Sequence, residues 1–313
     1  KLWNAARFVM MNLEGYEAAE VKPESLELED RWLLSRLAAV TQQTTAALEA
    51  RKFADIARTV HDFAWDEFCS FYVEMSKLGL QDERRRPVTQ RLLAHALDVI
   101  LRLLHPIAPF ITEEIWQLQR QLTPQRGLPK PTEAAESVML APWPKAEHRQ
   151  FDRAIEEQFA RFQTVLGAIR EIRSRQQIPP KADVQFSVRC TAEMTSILRP
   201  MEPYFQALAR AENVGWGVDV SPPANCGTIN LGDLEVYVDL AGFLDVEAEI
   251  QRNEKLLQKI VGSIRGKENK LSNASFVDKA PADIVEKERE SLVQLKQQLA
   301  AVEKTLDELR RLK

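Results

Sequence analysis

Between Val246 and Lys313 the apolar positions keep a register that can be read without any other information. Counting back from the end, Leu309, Leu306, Val302, Leu299, Leu295, Leu292 and Val285 follow a 3,4 alternation, the seam of a helix that packs on one partner. Val246, Ile250, Asn253, Leu257, Ile260, Ile264, Lys267 and Leu271 keep the same spacing. The intervening LSNASFVDKAP, Leu271 to Pro281, is rich in turn formers and ends in a proline suited to a helix's first turn. The pattern predicts an antiparallel helical hairpin, with arms of roughly 40 Å at 1.5 Å per residue, too long and thin to be the core of a compact domain. The polar seam residues Asn253 and Lys267 trade stability for register, and Gly262 and Gly266 soften the first arm.

Upstream, helical periods dominate. KLWNAARFVMMNLEG, Lys1 to Gly15, predicts a helix stopped by Gly15, with Leu2, Ala5 and Val9 inward and Lys1, Asn4, Arg7 and Phe8 on the adjacent surface. Pro23 and Ser25 are expected to open a second helix carrying Trp32, Leu33, Leu37, Val40 and Leu48. A third, from Phe53 to about Leu78, shows a stripe of Phe53, Ile56, Val60, Phe63, Phe68, Phe71 and Met75, read as core. A fourth runs from Val88 to Leu104; Pro106 and Pro109 break the register before Ile111 to Gln119 resumes it. The segment from Thr123 to Glu147 holds Pro124, Pro129, Pro131, Pro142 and Pro144 and is expected to drape over the bundle as a linker. A long helix from Phe151 to Gln176 follows, basic in its second half through Arg161, Arg170, Arg173 and Arg175. After Pro179 and Pro180 the period becomes two: VQFSVRC is a strand, Met194 to Glu212 a helix, and NVGWGVDV, CGTIN and LEVYVDL are strands with turns at Gly215, Gly227 and Gly232. The fold class is mainly α with a small α+β module: a helical bundle over residues 1–148, a junction module over 149–241 and a coiled-coil arm over 242–313.

Composition narrows the function. The 313 residues are 45% hydrophobic and 28% charged, ordinary for a soluble protein, and no apolar run reaches the ~18 residues of a membrane span. No signal-peptide layout opens the chain, which begins without methionine inside a helical pattern and reads as a piece of something larger. Cys69, Cys190 and Cys226 are scattered without CxxC spacing, which argues for a reducing cytosol and against structural zinc. His61, His95, His105 and His148 have no metal-ligand spacing, and phosphate loops, GxSxG elbows and HExxH pairs are lacking. Glu74-Met75-Ser76-Lys77 is similar to the KMSKS loop with which class I aminoacyl-tRNA synthetases hold ATP. It lacks the leading lysine and trailing serine, has no HIGH-like partner and is expected at a helix C-terminus. The chain is thus expected to hold no catalytic or metal site.

With a net charge of −4, contact with nucleic acid has to come from local patches. One is the stripe Lys255, Lys259, Arg265, Lys267 and Lys270, set against the single acid Glu268; another is Arg84, Arg85 and Arg86, expected in an exposed loop. On charge alone the stripe reads first as a solvated coiled-coil face, and a seam of this kind also suits dimerisation between chains.

Longer blocks carry a resemblance. KLWNAARFV, RWLLSRL (Arg31 to Leu37), WDEFCSFYVEMSK (Trp65 to Lys77), LLHPIAPFITEEIW (Leu103 to Trp116) and IREIRSRQQIPP (Ile169 to Pro180) resemble the part of valyl, isoleucyl and leucyl-tRNA synthetases that follows the catalytic domain. KLSNASFVDKAPADIVEKERESL (Lys270 to Leu292), a C-terminal hairpin with this tip, resembles the bacterial valyl family in particular. The resemblance implies a bundle that binds the anticodon stem-loop, a junction module, and an arm that reaches the tRNA elbow. It implies Lys1, Asn4, Arg7 and Phe8 as anticodon contacts, Phe8 by stacking; Arg170, Arg173 and Arg175 on the tRNA stem; and Lys255, Lys259, Arg265, Lys267 and Lys270 at the elbow. The expected partner is valine tRNA, bound by a cytoplasmic monomer with no membrane or DNA partner. ATP and magnesium would serve the full-length enzyme, with no cofactor in this part. An isoleucyl or leucyl enzyme is the alternative within the class, disfavoured by the hairpin and by the lack of cysteine pairs for a zinc site.

Overall fold

The computed structural model describes residues 2–147, 150–243, 246–272, 288–289, 291–296, 298–300, 302–303 and 306, with 246–252 as backbone alone. It divides into two compact units, Lys1–Asp239 and Leu240–Lys313.

In the first unit, α1 (Leu2–Met11) buries Leu2, Ala5, Ala6 and Val9 and gives way to a turn at Gly15, whose φ of 73° is left-handed. α2 (Leu28–Glu49) begins at a reciprocal cap in which the Asp30 carboxylate accepts from the Glu27 N–H at 3.1 Å. That cap sets the helix start, so Pro23–Ser25, expected to open α2, is a separate 3-10 turn. The predicted third helix is α3 (Phe53–Asp62), a π-helical stretch (Phe63–Tyr72) and α4 (Val73–Gln81) run together. Across the wider π turns Phe63, Phe68 and Tyr72 are buried, whereas Phe53, expected in the core, stands at the first residue of α3 and is 57% exposed. Glu74 to Lys77 therefore lie within α4 rather than at a helix terminus. α5 (Arg86–Leu104) is buried over most of its length, and α6 (Pro109–Leu122) starts two residues ahead of the expected Ile111, with Pro109, expected to break the register, in its first turn.

The proline-rich segment is more than a surface drape. β1 (Gln125–Arg126) pairs antiparallel with β2 (Thr132–Glu133), and the buried Arg126 guanidinium lies 4.1 Å from the Trp116 ring centroid while donating to Asp98 at 2.7 Å. α7 (Arg153–Arg175) is capped by Asp152, which accepts from the Ile155 N–H at 3.1 Å. Then come β3 (Val184–Arg189), α8 (Ala192–Leu198), α9 (Glu202–Ala209), β4 (Ala211–Gly217), β5 (Cys226–Asn230) and β6 (Glu235–Asp239). The sheet order is β4-β3-β6-β5, with β3 and β4 parallel and the other pairs antiparallel. Instead of one helix from Met194 to Glu212 there are two, parted by the 3-10 turn Arg199–Met201 with its Pro200, and Arg210 at φ 50° then closes α9 and turns the chain into β4. Gly215 and Gly227, expected at turns, lie inside strands. A Cβ on Gly227 would come within 2.3 Å of Ile172 Cγ2, so glycine here lets the sheet approach α7.

Two interactions make one body of the bundle and the module. The first is a run of rings in which Trp32 stacks on Phe159 at 3.8 Å, Phe159 meets Phe162 at 5.3 Å, Phe162 meets Phe205 at 4.7 Å, and Phe186 and Trp216 follow at 5.0 and 5.9 Å. It leads from α2 through α7 and α9 to the sheet. The second is ionic. Arg85, expected in an exposed loop, donates to Glu29 at 3.0 Å and to Asp30 at 2.8 Å, both carboxylates being buried, and pairs with Glu27 at 3.1 Å. Tyr72 donates to Asp30 at 3.1 Å and Tyr204, on α9, donates to Glu29.

In the second unit, α10 (Val246–Ser272) buries Ile260 and Ile264, and across from it Leu306 is buried and Leu292, Leu295, Leu299 and Val302 are half-buried. Lys270 pairs with Glu288 at 2.7 Å; in one continuous helix residues 18 apart would stand ~27 Å from each other. Lys296 pairs with Glu268 at 2.7 Å, so one run ascends as the other descends, the antiparallel hairpin predicted from the seam. The side chains of Val246 and Ile250, residues Val285 and Leu309, and the tip over 273–287 lie outside the described residues.

One guanidinium cannot neutralise two buried carboxylates, and burial together with the Glu29 charge pushes Asp30 up to about 8 from an ordinary 3.8. A carboxyl raised in the folded state contributes stability fully below its unfolded value and loses it progressively as pH rises to its folded value. The stability of the wild-type chain minus that of Asp30→Asn should therefore fall between pH 5 and 8, by at most about 1.4 kcal/mol per pH unit, and level off above. Urea melts across that window check it; a difference that stays constant means that Asp30 is ionised throughout.

Candidate nucleic-acid interface

The sequence-predicted residues on α1 share a surface. The apolar side of the helix is spent on α5 and α6, which leaves Asn4 and Arg7 exposed and Phe8 half-buried beside them. Lys1 lies outside the described residues. The Asn12 amide donates to the Phe8 carbonyl at 2.8 Å and closes the last turn. The Lys77 ammonium stands 5.9 Å from the Phe8 ring centroid, held by Glu74 one turn earlier at 2.7 Å. An exposed arginine, an amide and a ring with one face toward a cation form a surface suited to unpaired bases and the phosphates between them. Sequence reasoning missed Lys77, because its only signal was the resemblance to an ATP-holding loop.

The three α7 arginines expected at the tRNA stem separate. Arg173 is buried, its guanidinium donating to the Pro179 and Ala182 carbonyls at 2.9 Å each, and so pins the strand that leaves α7 to become β3. That burial leaves Arg173 little surface to offer a tRNA stem. Arg170 donates to the Leu208 carbonyl at 3.0 Å and lies 6.0 Å from the Phe71 ring, and partial burial lowers its pKa. Arg175, exposed, pairs with Glu171 on its own helix.

The five arm cations expected at the elbow also fall into two sets. Lys267, beside the seam, and Lys270 both hold Glu288, and these hydrogen bonds, that of Lys267 first, bring its carboxyl down to about 2. Lys255, Lys259 and Arg265 are exposed and, among the described residues, carry no ion pair. At 100° per residue Lys255 and Lys259 fall roughly opposite Ile260 and Ile264, so they face away from the partner helix.

A buried-core bundle with an aromatic and cationic edge, followed by a two-helix arm with outward lysines, matches known proteins in both halves. Residues 30–188 match the family described as the anticodon-binding domain of tRNA ligase. The chain belongs to that family. Residues 245–310 match the valyl tRNA synthetase tRNA binding arm, so the chain joins an anticodon-binding domain to the arm of valyl-tRNA synthetases. A valine–tRNA ligase of Rhodopirellula baltica is 51% identical over 304 residues, covering 96% of this chain and 29% of that protein. Those of Thermotoga maritima and Geobacter sulfurreducens are each 37% identical, over 99% and 100% of this chain and 33% and 35% of theirs. The chain thus spans about a third of the length of the curated relatives it matches. The α1 surface lies ahead of the region matched to the anticodon-binding domain, whereas Lys77 lies within it.

The two kinds of arginine on α7 should respond differently to truncation. Arg173→Ala leaves buried carbonyls without donors and should lower unfolding free energy by about 2–3 kcal/mol. Arg175→Ala removes only an exposed i,i+4 pair and should change it by less than ~0.5 kcal/mol. Equal losses in denaturant melts would mean that Arg173 has no special structural task.

Proposed function

We propose that this chain is the tRNA-holding part of a valine–tRNA ligase: the first unit takes the anticodon stem-loop, the arm takes the tRNA elbow, and the whole enzyme joins valine to that tRNA in the cytoplasm with ATP. The observation that carries the reading is the presence, in one chain, of residues 30–188 matching an anticodon-binding domain and residues 245–310 matching a valyl tRNA-binding arm. The chemistry of the surfaces supports it. Asn4, Arg7, Phe8 and Lys77 offer stacking, hydrogen bonds and charge where an anticodon presents splayed bases. Lys255, Lys259 and Arg265 offer charge on a narrow rod, which suits an elbow read through shape and phosphate. Arg170 and Arg175 remain as candidates for the stem between them.

Glu74 to Lys77, the stretch most like the ATP-holding loop of that class, sits inside α4 and lacks the loop's leading lysine and trailing serine, so ATP and magnesium are assigned to the rest of the full-length enzyme. Among the described residues no helix is long and apolar enough to cross a membrane. The rival reading, a seam that dimerises between chains, is disfavoured by the Lys270–Glu288 and Lys296–Glu268 pairs, which close the arm on itself. An isoleucyl or leucyl assignment is disfavoured by the valyl arm match.

The division of the arm's cations makes a specific expectation. Lys255→Glu, Lys259→Glu and Arg265→Glu together should weaken binding of a valine tRNA transcript and reduce the slope of log affinity against log salt by about 2. Reversal of Lys267 and Lys270 should instead loosen the hairpin, read as lost helicity. If the triple variant keeps the wild-type slope, the arm's outward face is not at the RNA.

A further inference from the structure

Outside the α1 surface, another pair of rings stands open on the first unit. His61 and Trp65 lie with centroids 4.3 Å apart and planes 17° from parallel. The His61 side chain is 54% exposed and Trp65 is half-buried beneath it, so the pair ends in a ring that, among the described residues, no further aromatic covers. The platform sits where α3 passes into the π-helical stretch, and the Ser70 hydroxyl, five residues on, donates to the Trp65 carbonyl at 2.7 Å. Wide turns of this kind weaken a helix and are found disproportionately at functional sites.

The pair also lies on a definite face. His61, Trp65, Ser70, Glu74 and Lys77, spaced 4, 5, 4 and 3 along a helix that widens in its middle, fall roughly on one side, and Lys77 ends the row beside the Phe8 ring at 5.9 Å. From His61 to Lys77 the helix advances somewhat over 20 Å, so both rings front the same side of the unit, within reach of one nucleic-acid loop. Charge decides which part of that loop is admitted. Asp62 lies 3.2 Å from His61 Nδ1, and Asp66 is exposed one turn on. Carboxylates repel phosphate but accept from the exocyclic amine of a base.

We infer that His61, backed by Trp65, is a stacking platform for one unpaired base of the tRNA loop that Phe8 and Lys77 also contact. The inference rests on the tRNA-binding reading above and adds a position to it. A base laid on the outer face of His61 is held by ring overlap, with Asp62 beside it to take an amine proton, and no charge is neutralised in the contact.

Equilibrium binding of a valine tRNA transcript to the 313-residue chain, measured over a range of salt, tests it. His61→Ala should weaken binding roughly tenfold with an unchanged salt slope, and His61→Tyr should restore wild-type affinity, because stacking needs a ring rather than an imidazole. His61 is exposed, so thermal unfolding of both variants should stay at the wild-type value. An affinity for His61→Ala within twofold of wild type, a salt slope that falls by about one, or no rescue by tyrosine each overturns the platform while leaving tRNA binding intact. Failure of the wild-type chain to bind the transcript at all overturns the platform and the underlying reading together.

Discussion

Arg85 is the constraint from which the first unit follows. Its guanidinium reaches three carboxylates from the start of α2, two of them buried, and those two are hydrogen-bonded in turn by Tyr72 from the π-helical stretch and Tyr204 from α9. Desolvating such charges is expensive, and the cost is offset only when donors and acceptors match in number and direction. The match requires the first turns of α2 and α5, the π-helical stretch and α9 to arrive together. Asp30 illustrates the economy: the same carboxylate caps α2, takes Arg85 and takes Tyr72. A hydrophobic cluster of equal volume would hold these elements without specifying their register, whereas a directional network rejects a slipped helix.

Around this knot the aromatic run supplies most of the adhesion. Rings from Trp32 to Trp216 cross from bundle to sheet without a polar break, and Gly227 lets the sheet close on Ile172. Because α7 lies between α2 on one side and β6 on the other, the module cannot swing without opening that core. The consequence for the proposed function is a rigid platform: Phe8, Lys77 and His61 are presented by helices whose inner faces are locked, so little side-chain entropy is left to be lost when a base stacks on them.

The helices of the bundle, the strands β3, β5 and β6 and the hairpin were legible in the sequence because each buries one continuous face, and a buried face imposes its period on the apolar residues. What was not legible depended on partners remote in sequence. Arg85 sits in an Arg-Arg-Arg cluster beside Asp82 and Glu83, and nothing local distinguishes it from its exposed neighbours; only Glu29 and Asp30, over fifty residues earlier, make it structural. Arg126 in its proline-rich segment and Arg173 among the α7 arginines were hidden in the same way, since a charge pattern records charge and not who answers it. The π-helical register left no mark beyond an aromatic stripe too wide for a regular helix, and that stripe was read as core.

The same distinction between answered and unanswered charge governs the candidate RNA surfaces. Over the whole chain acids exceed bases by four, so at long range it does not attract a polyanion. Local cations have to do so, and many of them are already engaged: Arg85 and Arg126 inside the bundle, Arg173 at the root of the sheet, Lys267 and Lys270 in the arm. Among the cations singled out in the sequence, the exposed arm residues Lys255, Lys259 and Arg265 and the α1 edge then remain as two small patches. Two weak patches on separate units grip strongly only a ligand that presents both targets at a fixed spacing, since the second contact then forms at high effective concentration. A folded RNA carrying two such sites meets that condition and a random RNA does not, and this is how the proposed tRNA reading accords with an acidic chain.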